Sequence, residues 1–110
     1  MESMLNRGDI YWVNLDPTIG SEIKKKRPCI IIGATPINEA RRTVVVVPLS
    51  SAGKPRPPLT VPIKCQRRQV VAVCDQIRSV DKSRLVEKIE SASQEDISEI
   101  EKGLRQTLAL

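Results

Sequence analysis

A run of cations at residues 24–27 is the part of the sequence best suited to chemistry on a phosphate. Lys24, Lys25 and Lys26 are followed by Arg27–Pro28, and the chain contains no histidine. A guanidinium matches two phosphate oxygens with a planar fork, whereas an ammonium acts as a point charge. Arg27 is therefore the first candidate for stabilising a phosphoryl transition state. An ordinary surface ion pair is the alternative for this residue.

Acid–base chemistry at such a site is restricted to few groups. A guanidinium, with a pKa of about 12.5–13.8, is a poor base near neutrality, so Arg27 is expected to stabilise charge and, in addition, to donate a proton. Ser50 follows a buried run that we expect Pro48 to end, and Ser51 is next to it. The Ser50 hydroxyl can bind a phosphate oxygen or, as a turn residue, its own backbone. The residues alone leave both roles open.

Length and charge limit the class of protein. A chain of 110 residues is expected to form one domain over its whole length, residues 1–110. The net charge is +5, but residues 1–80 carry 13 basic and 6 acidic side chains, whereas residues 81–110 carry 5 and 7. A basic body favours a polyanionic partner. Nucleic acid is the preferred partner, an acidic peptide is the second, and a merely soluble basic surface is the alternative.

The three cysteines predict no metal site and no cofactor. Cys29, Cys65 and Cys74 form no C-x-x-C pair, and no histidine accompanies them. We expect small buried hydrophobic residues in a reducing cytoplasm, without a membrane segment. Cys74 as a nucleophile lacks a histidine to activate it.

Short β-branched segments predict the elements that position these groups. Residues 29–32 and 44–47 look buried on both faces and are expected to be central strands, while Pro62 places its strand at an edge. The five strands predicted before residue 76 cover residues 10–15, 29–32, 44–47, 59–63 and 70–73. Residues 81–84 predict a single helical turn, and residues 86–89 a further short strand.

A helix is predicted at the end of the chain. Ser93 is a suitable N-cap, and Asp96 three residues later can return the hydrogen bond. One apolar stripe follows, formed by Ile97, Ile100, Leu104 and Leu108. This stripe is expected to pack on the sheet or on another subunit.

Strands first and a helix last predict an α+β, mostly β domain, built on a small antiparallel, partly closed barrel. Two polar, basic loops are expected on one face of it. Loop one covers residues 16–27, and loop two covers residues 51–58, where Gly53 is expected to supply mobility. Tyr11 and Trp12 are the chain's aromatic residues, and Trp12 is expected in the core.

Four strings carry a resemblance to a known family. RGDIYWVNLDPTIGSE, KRPCIII, VVVVPLSS and CDQIRSVDKSRL follow one another in this order, and the chain resembles the MazF/PemK (Kid) toxin endoribonucleases of toxin–antitoxin systems. The resemblance implies an SH3-like barrel, a homodimer, and an acidic, MazE/PemI-like antitoxin as partner. It also implies sequence-specific, metal-independent cleavage of single-stranded RNA by 2′-hydroxyl attack.

The resemblance also implies roles for single residues. Arg27 matches a catalytic arginine, and Ser50 the position of a catalytic threonine or serine. Some members of the family carry a histidine where this chain has Ser21 and an arginine where it has Val73, so their acid–base scheme does not transfer. Glu22 and Asp75 can orient Arg27, accept a proton or bind exposed base edges. Asp75 could equally be a structural partner of Arg78.

RNA binding is expected to combine basic side chains on phosphates with polar groups on bases. The candidates are Gly20, Ser21, Glu22, Lys24, Lys25, Lys26, Ser51, Lys54, Arg56, Asp75 and Gln76. An acidic, disordered antitoxin segment is expected to compete for the same groove. The rival interpretation is a non-catalytic SH3-like binding module, including a toxin of the gyrase-poison type.

Overall fold

The structure is a computed structural model that describes residues 5–17, 20 and 25–110. Within those residues the strands are β1 (Asp9–Asn14), β2 (Lys26–Ile31), β3 (Thr43–Ser50), β4 (Thr60–Cys65), β5 (Arg68–Val73), β6 (Arg78–Asp81) and β7 (Leu85–Ser91). The helices are α1 (Thr35–Ala40) and α2 (Gln94–Leu108), and the 3₁₀ turns Cys74–Gln76 and Lys82–Arg84 flank β6. The strands form one antiparallel sheet in the order β4-β5-β3-β2-β1-β7, with β6 on β3.

Strand β3 joins two parts of this sheet. Along one edge its first half pairs with β6, from Thr43–Asp81 to Val46–Arg78, and its last residues, Leu49 and Ser50, pair with β5. Its other edge pairs with β2. Strands β7, β1, β2, β3 and β6 therefore curl into a half-barrel, which the β4–β5 hairpin extends. The predicted mostly β, partly closed barrel with a C-terminal helix is confirmed.

Two apolar clusters form because neighbouring side chains of a strand point to opposite faces. The inner core lies on one face of the half-barrel and contains Tyr11, Val13, Leu15, Cys29, Ile31, Val44, Val46 and Val80. The outer core lies on the other face, under the hairpin and α2, and contains Ile10, Ile30, Ile32, Val47, Leu49, Val61, Ile63, Cys65, Ala72, Cys74, Ile97, Ile100 and Leu104. As predicted, β2 and β3 are interior strands, and β4, with the exposed Pro62, is at an edge.

Helix α2 covers the outer core. The Ser93 hydroxyl caps it by accepting a hydrogen bond from Asp96 N at 3.1 Å. The Asp96 carboxylate does not return this bond but accepts one from Lys64 N at 3.0 Å, which ties the helix to β4. The predicted stripe is buried up to Leu104, but Leu108 is 46% exposed, because the last turn extends beyond the sheet. None of the described helices is long and apolar enough to cross a membrane.

One expectation about the elements was wrong, and two short elements were missed. Pro48 does not end β3 but pairs with Cys29 inside it. It is tolerated because β3 has no recorded partner on its other edge there: pairs with β6 end at Val46 and pairs with β5 begin at Leu49. Helix α1 and strand β6 were not predicted, since each is short and polar at one or both ends.

Candidate functional site

Arg27 and Ser50 lie at the same end and on the same face of the half-barrel. Arg27 belongs to β2, two residues before Cys29 of the inner core, and not to loop one as expected. Ser50 is the last residue of β3, four residues after Val46 of the inner core. Because side chains two residues apart share a face, both residues continue the inner-core face. Both are half-buried.

The register of β2 and β3 brings these two residues towards each other. The recorded pairs are Ile31–Val46, Ile30–Val47 and Cys29–Pro48. Continuing this register by two residues sets Arg27 opposite Ser50, and directly opposite residues of antiparallel strands interact through their side chains. We call this end of the inner-core face the mouth; it is bounded by Arg27, Ser50 and Arg78. A guanidinium and a hydroxyl at one mouth can bind the oxygens of one phosphate.

A cavity of about 370 Å³ opens at the same end of the sheet but on the outer-core face, since Leu49 and Cys65 of its lining belong to the outer core. Lys26, Arg27 and Arg68 supply its positive charge, and Ser51 a hydroxyl. The complete lining is Trp12, Lys26, Arg27, Pro28, Leu49, Ser51, Cys65, Gln66, Arg68 and Val70. We call it the basic cavity. The cavity combines apolar side chains with cationic ones. This combination fits a nucleotide, whose flat base can contact the apolar side chains while its phosphate binds the cations.

Loop two begins with a close approach that only glycine permits. A Cβ atom on Gly53 would lie 2.6 Å from Cγ2 of the buried Val71 and 3.6 Å from Oγ of Ser50. The loop therefore folds tightly back over the end of β3. Gly53 was expected to supply mobility; its role in the structure is to leave room for the backbone beside Val71 and Ser50.

The basic residues of loop two are held by Thr60. Its hydroxyl donates to Lys54 O at 2.7 Å and accepts from Arg56 N at 2.7 Å. Two backbone bonds between Arg56 and Thr60 close the turn. Lys54 and Arg56 are exposed but do not line the basic cavity, so the structure places them on a separate part of the candidate surface.

Loop one is described at its stem and at Gly20. At the stem, Lys25 N donates to Asp16 Oδ1 at 2.9 Å, and Leu15 N donates to Lys25 O. In addition, Arg84 Nη1 donates to the carbonyl oxygens of Asn14 and Asp16. These bonds fix the point where the loop leaves the barrel. Gly20 is exposed with φ +62°. The predicted RNA-binding residues Ser21, Glu22 and Lys24 lie outside the described residues.

Asp75 and Gln76 lie on the 3₁₀ turn between β5 and β6. Cys74 N anchors this turn by donating to Leu59 O at 2.8 Å. Asp75 is exposed and Gln76 is half-buried. The alternative that Asp75 is a structural partner of Arg78 is not supported, because the ion pairs of the described residues include none between them.

The cysteines are buried and free, as predicted. Burial raises the pKa of Cys29 to about 12, and burial with the neighbouring Glu90 raises that of Cys65 to about 11. Burial and the charge of Asp75 raise the pKa of Cys74 to about 11, so it is a poor nucleophile. No group of three metal-ligating side chains occurs within residues 5–17, 20 and 25–110.

Sequence reasoning missed three residues of the basic cavity. Trp12 was expected in the core, but it is half-buried and lines the cavity, with Lys26 Nζ 5.9 Å from its ring centroid. Gln66 lies in the hairpin turn that joins β4 and β5, and Arg68 is the first residue of β5. The cationic pair Arg67–Arg68 beside a strand was a signal that could have been used.

Comparisons with known proteins define the class to which this fold and site belong. The family model described as PemK-like, MazF-like toxin of type II toxin–antitoxin systems matches residues 6–108. The chain belongs to this family, which confirms the resemblance.

Individual relatives agree with this assignment. The chain is 32% identical to Endoribonuclease EndoA of Bacillus subtilis (strain 168), over 97% of each chain. Its fold is similar to that of crystalline MazF from Deinococcus radiodurans, with a TM-score of 0.88, 23% identity, and coverage of 99% of this chain and 100% of that one. It is also similar to a mycobacterial endoribonuclease solved in complex with its cognate antitoxin, with a TM-score of 0.80, 20% identity, and coverage of 96% and 95%.

Proposed function

We propose that this protein is an endoribonuclease toxin that cleaves single-stranded RNA in a sequence-specific manner and is neutralised by a cognate antitoxin. The observation that carries the activity is the match to an endoribonuclease over 97% of both chains at 32% identity. The extended β2–β3 register, which sets Arg27 opposite Ser50, supports the assignment of these two residues to the reaction.

The proposed reaction is attack by a ribose 2′-hydroxyl on the adjacent 3′-phosphate. The bond from O2′ to phosphorus forms, the bond from phosphorus to O5′ breaks, the 2′-hydroxyl loses its proton, and O5′ gains one. The products are a 2′,3′-cyclic phosphate and a 5′-hydroxyl end. Negative charge increases on the phosphoryl oxygens at the transition state, so donors fixed around them lower the barrier.

Arg27 and Ser50 are proposed as the catalytic residues. The Arg27 guanidinium donates two parallel hydrogen bonds to phosphoryl oxygens and neutralises the developing charge. The Ser50 hydroxyl donates a further hydrogen bond from β3. Both residues stand on strands, which hold reacting groups more firmly than loops do. Neither role requires a bound metal ion.

The rest of the surface is proposed to hold the RNA. Lys24, Lys25, Lys26, Lys54 and Arg56 bind phosphates along the strand. Gly20, Ser21, Glu22, Ser51, Asp75 and Gln76 bind unpaired bases through polar groups. One base enters the basic cavity and contacts the indole ring of Trp12. This arrangement favours cleavage at particular sequences.

The proposal includes three statements about the assembly. The toxin acts in the cytoplasm, forms a homodimer, and is inhibited by an acidic antitoxin segment that covers the RNA-binding groove. Sedimentation tests the dimer. Charge reversal at Lys54 and Arg56 should weaken both RNA cleavage and antitoxin binding, and loss of only one would indicate separate sites.

The decisive experiment is incubation of the protein with a long, unstructured RNA in EDTA, followed by mapping of the ends. We expect cuts at specific sequences with 5′-hydroxyl ends. Arg27→Ala should abolish them, whereas Arg41→Ala, at the far end of β3, should not. Intact RNA would indicate a binding module without catalysis, and even cutting at all bases would contradict sequence-specific recognition.

A matched pair separates the two serines. Ser50→Ala should lower the single-turnover cleavage rate by about 100-fold, as expected for removal of one transition-state donor. Ser51→Ala should change it by less than about fivefold, because Ser51 lines the basic cavity and not the mouth. The reverse order of the two effects would assign the catalytic hydroxyl to Ser51.

A further inference from the structure

A second arginine stands on the same face as Arg27. Arg78 opens β6 and pairs with Val46 of β3, which in turn pairs with Ile31 of β2. Val80, two residues further along β6, belongs to the inner core. Since side chains two residues apart share a face, Arg78 faces the inner-core side. It therefore borders the mouth from the third strand.

The charge of Arg78 extends towards Arg27. The backbone of Arg78 lies in the row of Val46 and Ile31, whereas its guanidinium acts on Cys29, which is two residues closer to Arg27 along β2. This positive charge lowers the pKa of the Cys29 thiol, although burial raises it by more. The Arg78 guanidinium is thus close enough to the Cys29 thiol, on the same face as Arg27, for its charge to act there.

Arg78 has no counter-charge among the residues that the structure describes. It is half-buried, yet none of their hydrogen bonds or ion pairs involves its side chain. Arg7 and Arg84, which are also half-buried, differ, because Arg7 pairs with Glu101 at 2.8 Å and Arg84 donates to two backbone carbonyls. Partial burial of a cation is costly unless an anion compensates for it. An anion from outside the described residues fits this position.

The adjacent catalytic residues identify that anion. A cation on the same face as Arg27 and Ser50, at the end of β6 nearer to them, can reach the phosphate on which they are proposed to act. The pentacovalent phosphorane carries one more negative charge than the ground state. One guanidinium leaves part of this charge uncompensated. Val73, unlike the arginine of some relatives, supplies no cation from β5. Arg78 is placed to provide it from β6.

We propose that Arg78 is a catalytic residue that binds a non-bridging oxygen of the reacting phosphate, so that two arginines from β2 and β6 hold the phosphorane. The inference deepens the proposed function and rests on it. Arg78 takes no part in the proton transfers to and from O5′ and O2′. Its contribution is the charge that the transition state gains.

The first test is single-turnover cleavage of a short RNA with one cleavage site, at saturating protein. Arg78→Ala should lower the rate by about 100-fold or more, and Arg78→Lys by less, because an ammonium restores the charge without the fork. Arg41→Ala is the control. Free guanidinium added to Arg78→Ala should recover part of the rate, which a misfolded variant would not show. A rate within threefold of the unmodified protein would overturn the proposal.

The second test identifies the atom that Arg78 touches. Each non-bridging oxygen of the scissile phosphate is replaced in turn by sulfur. The unmodified protein should be slowed more by one diastereomer, and Arg78→Ala should lose that preference. A slow Arg78→Ala variant that keeps the preference would assign Arg78 a structural role and overturn the proposal. Failure of the proposed function itself is recognised separately, by cleavage that persists in Arg27→Ala.

Discussion

The two ends of the half-barrel use their charges differently. Around the start of β1 and helix α2, opposite charges meet: Arg7 pairs with Glu101 at 2.8 Å, Lys88 with Asp9 at 3.4 Å, and Lys102 with Glu99 at 3.0 Å. These are the ion pairs of the described residues. We call this region the helix end. At the mouth and the basic cavity, Lys26, Arg27, Arg68 and Arg78 gather, and no described carboxylate lines the cavity.

This difference separates charges that form ion pairs within the fold from charges that surround the candidate site. At the helix end, removal of a charge should alter stability and leave RNA binding unchanged. At the mouth, removal of a charge should alter RNA binding or cleavage and leave stability nearly unchanged.

The largest expected effect is at Asp9, which is only 3% exposed. Its carboxylate accepts from Ser91 Oγ at 2.9 Å and from Asn6 N at 3.2 Å, and pairs with Lys88. Asp9→Ala leaves these donors without an acceptor and should lower the free energy of unfolding by about 2–4 kcal/mol, as measured in urea. Glu99→Ala, which removes only the exposed ion pair with Lys102, is the comparison and should cost less than about 1 kcal/mol. Loss of cleavage in folded Asp9→Ala would contradict the division between the two ends.

The next effect is at Gly53, where fold and site meet. A Cβ atom would overlap Val71, so Gly53→Ala should cost about 1–2 kcal/mol of stability and displace loop two from Ser50. Cleavage should fall about tenfold, a barrier increase of about 1.4 kcal/mol. The double variant with Val71→Ala makes room for the added methyl group. If it cleaved no better than Gly53→Ala, the overlap would not be the cause.

A smaller effect is expected at Arg68. Arg68→Gln should weaken binding of a non-cleavable RNA, made with a 2′-deoxyribose at the cleavage site, by about three- to tenfold at low salt. It should also lower the slope of log affinity against log salt by about 0.7, the value for one phosphate contact on a single strand. Arg105→Gln on the exposed side of α2 should change neither quantity. Equal effects of both variants would show that only net charge matters.

The smallest effect concerns pH and Asp81, an exposed residue that pairs with Thr43 at the start of β3, away from the mouth. Hydrogen bonds from Ser83, then the charges of Arg42 and Arg84, lower the pKa of Asp81. A lowered pKa stabilises the fold above the ordinary aspartate value of about 3.9. The stability difference between the unmodified protein and Asp81→Asn should therefore be present at pH 7 and decrease as the pH falls below about 4. A constant difference in urea unfolding would contradict the pKa shift.

Much of the fold could be predicted because each buried strand is marked by a run of apolar, mostly β-branched residues within its own segment of sequence. The runs around Ile30 and Val46 need no partner to be recognised as strands, and Ser93 marks the start of α2 by its own chemistry. Pro48 was misjudged, because whether proline interrupts a strand depends on its neighbours in the sheet. Strand β6 could not be predicted since only Val80 among its residues is buried.

The sequence was sufficient to select the residues of the candidate site, but it was less informative about how they are arranged in space. Arg27 and Ser50 could be selected from the sequence, but their common face depends on the register of β2 with β3, which no local pattern encodes. The contribution of Trp12 depends on a cavity that closes only when the β4–β5 hairpin packs nearby. Arg78 was considered only as a partner for Asp75, since β6 was unknown.

Strand β3 pairs with β2, β5 and β6, and so stands at the junction of both cores. Its amide hydrogens should exchange with solvent among the slowest in the molecule, because their exposure requires disruption of three strand pairs. A shift of its register by one residue would turn Ser50 to the opposite face and expose the apolar side chains of the strand. We therefore expect that evolutionary changes in the recognised RNA sequence arise from substitutions in the loops, while the sequence of β3 stays constant.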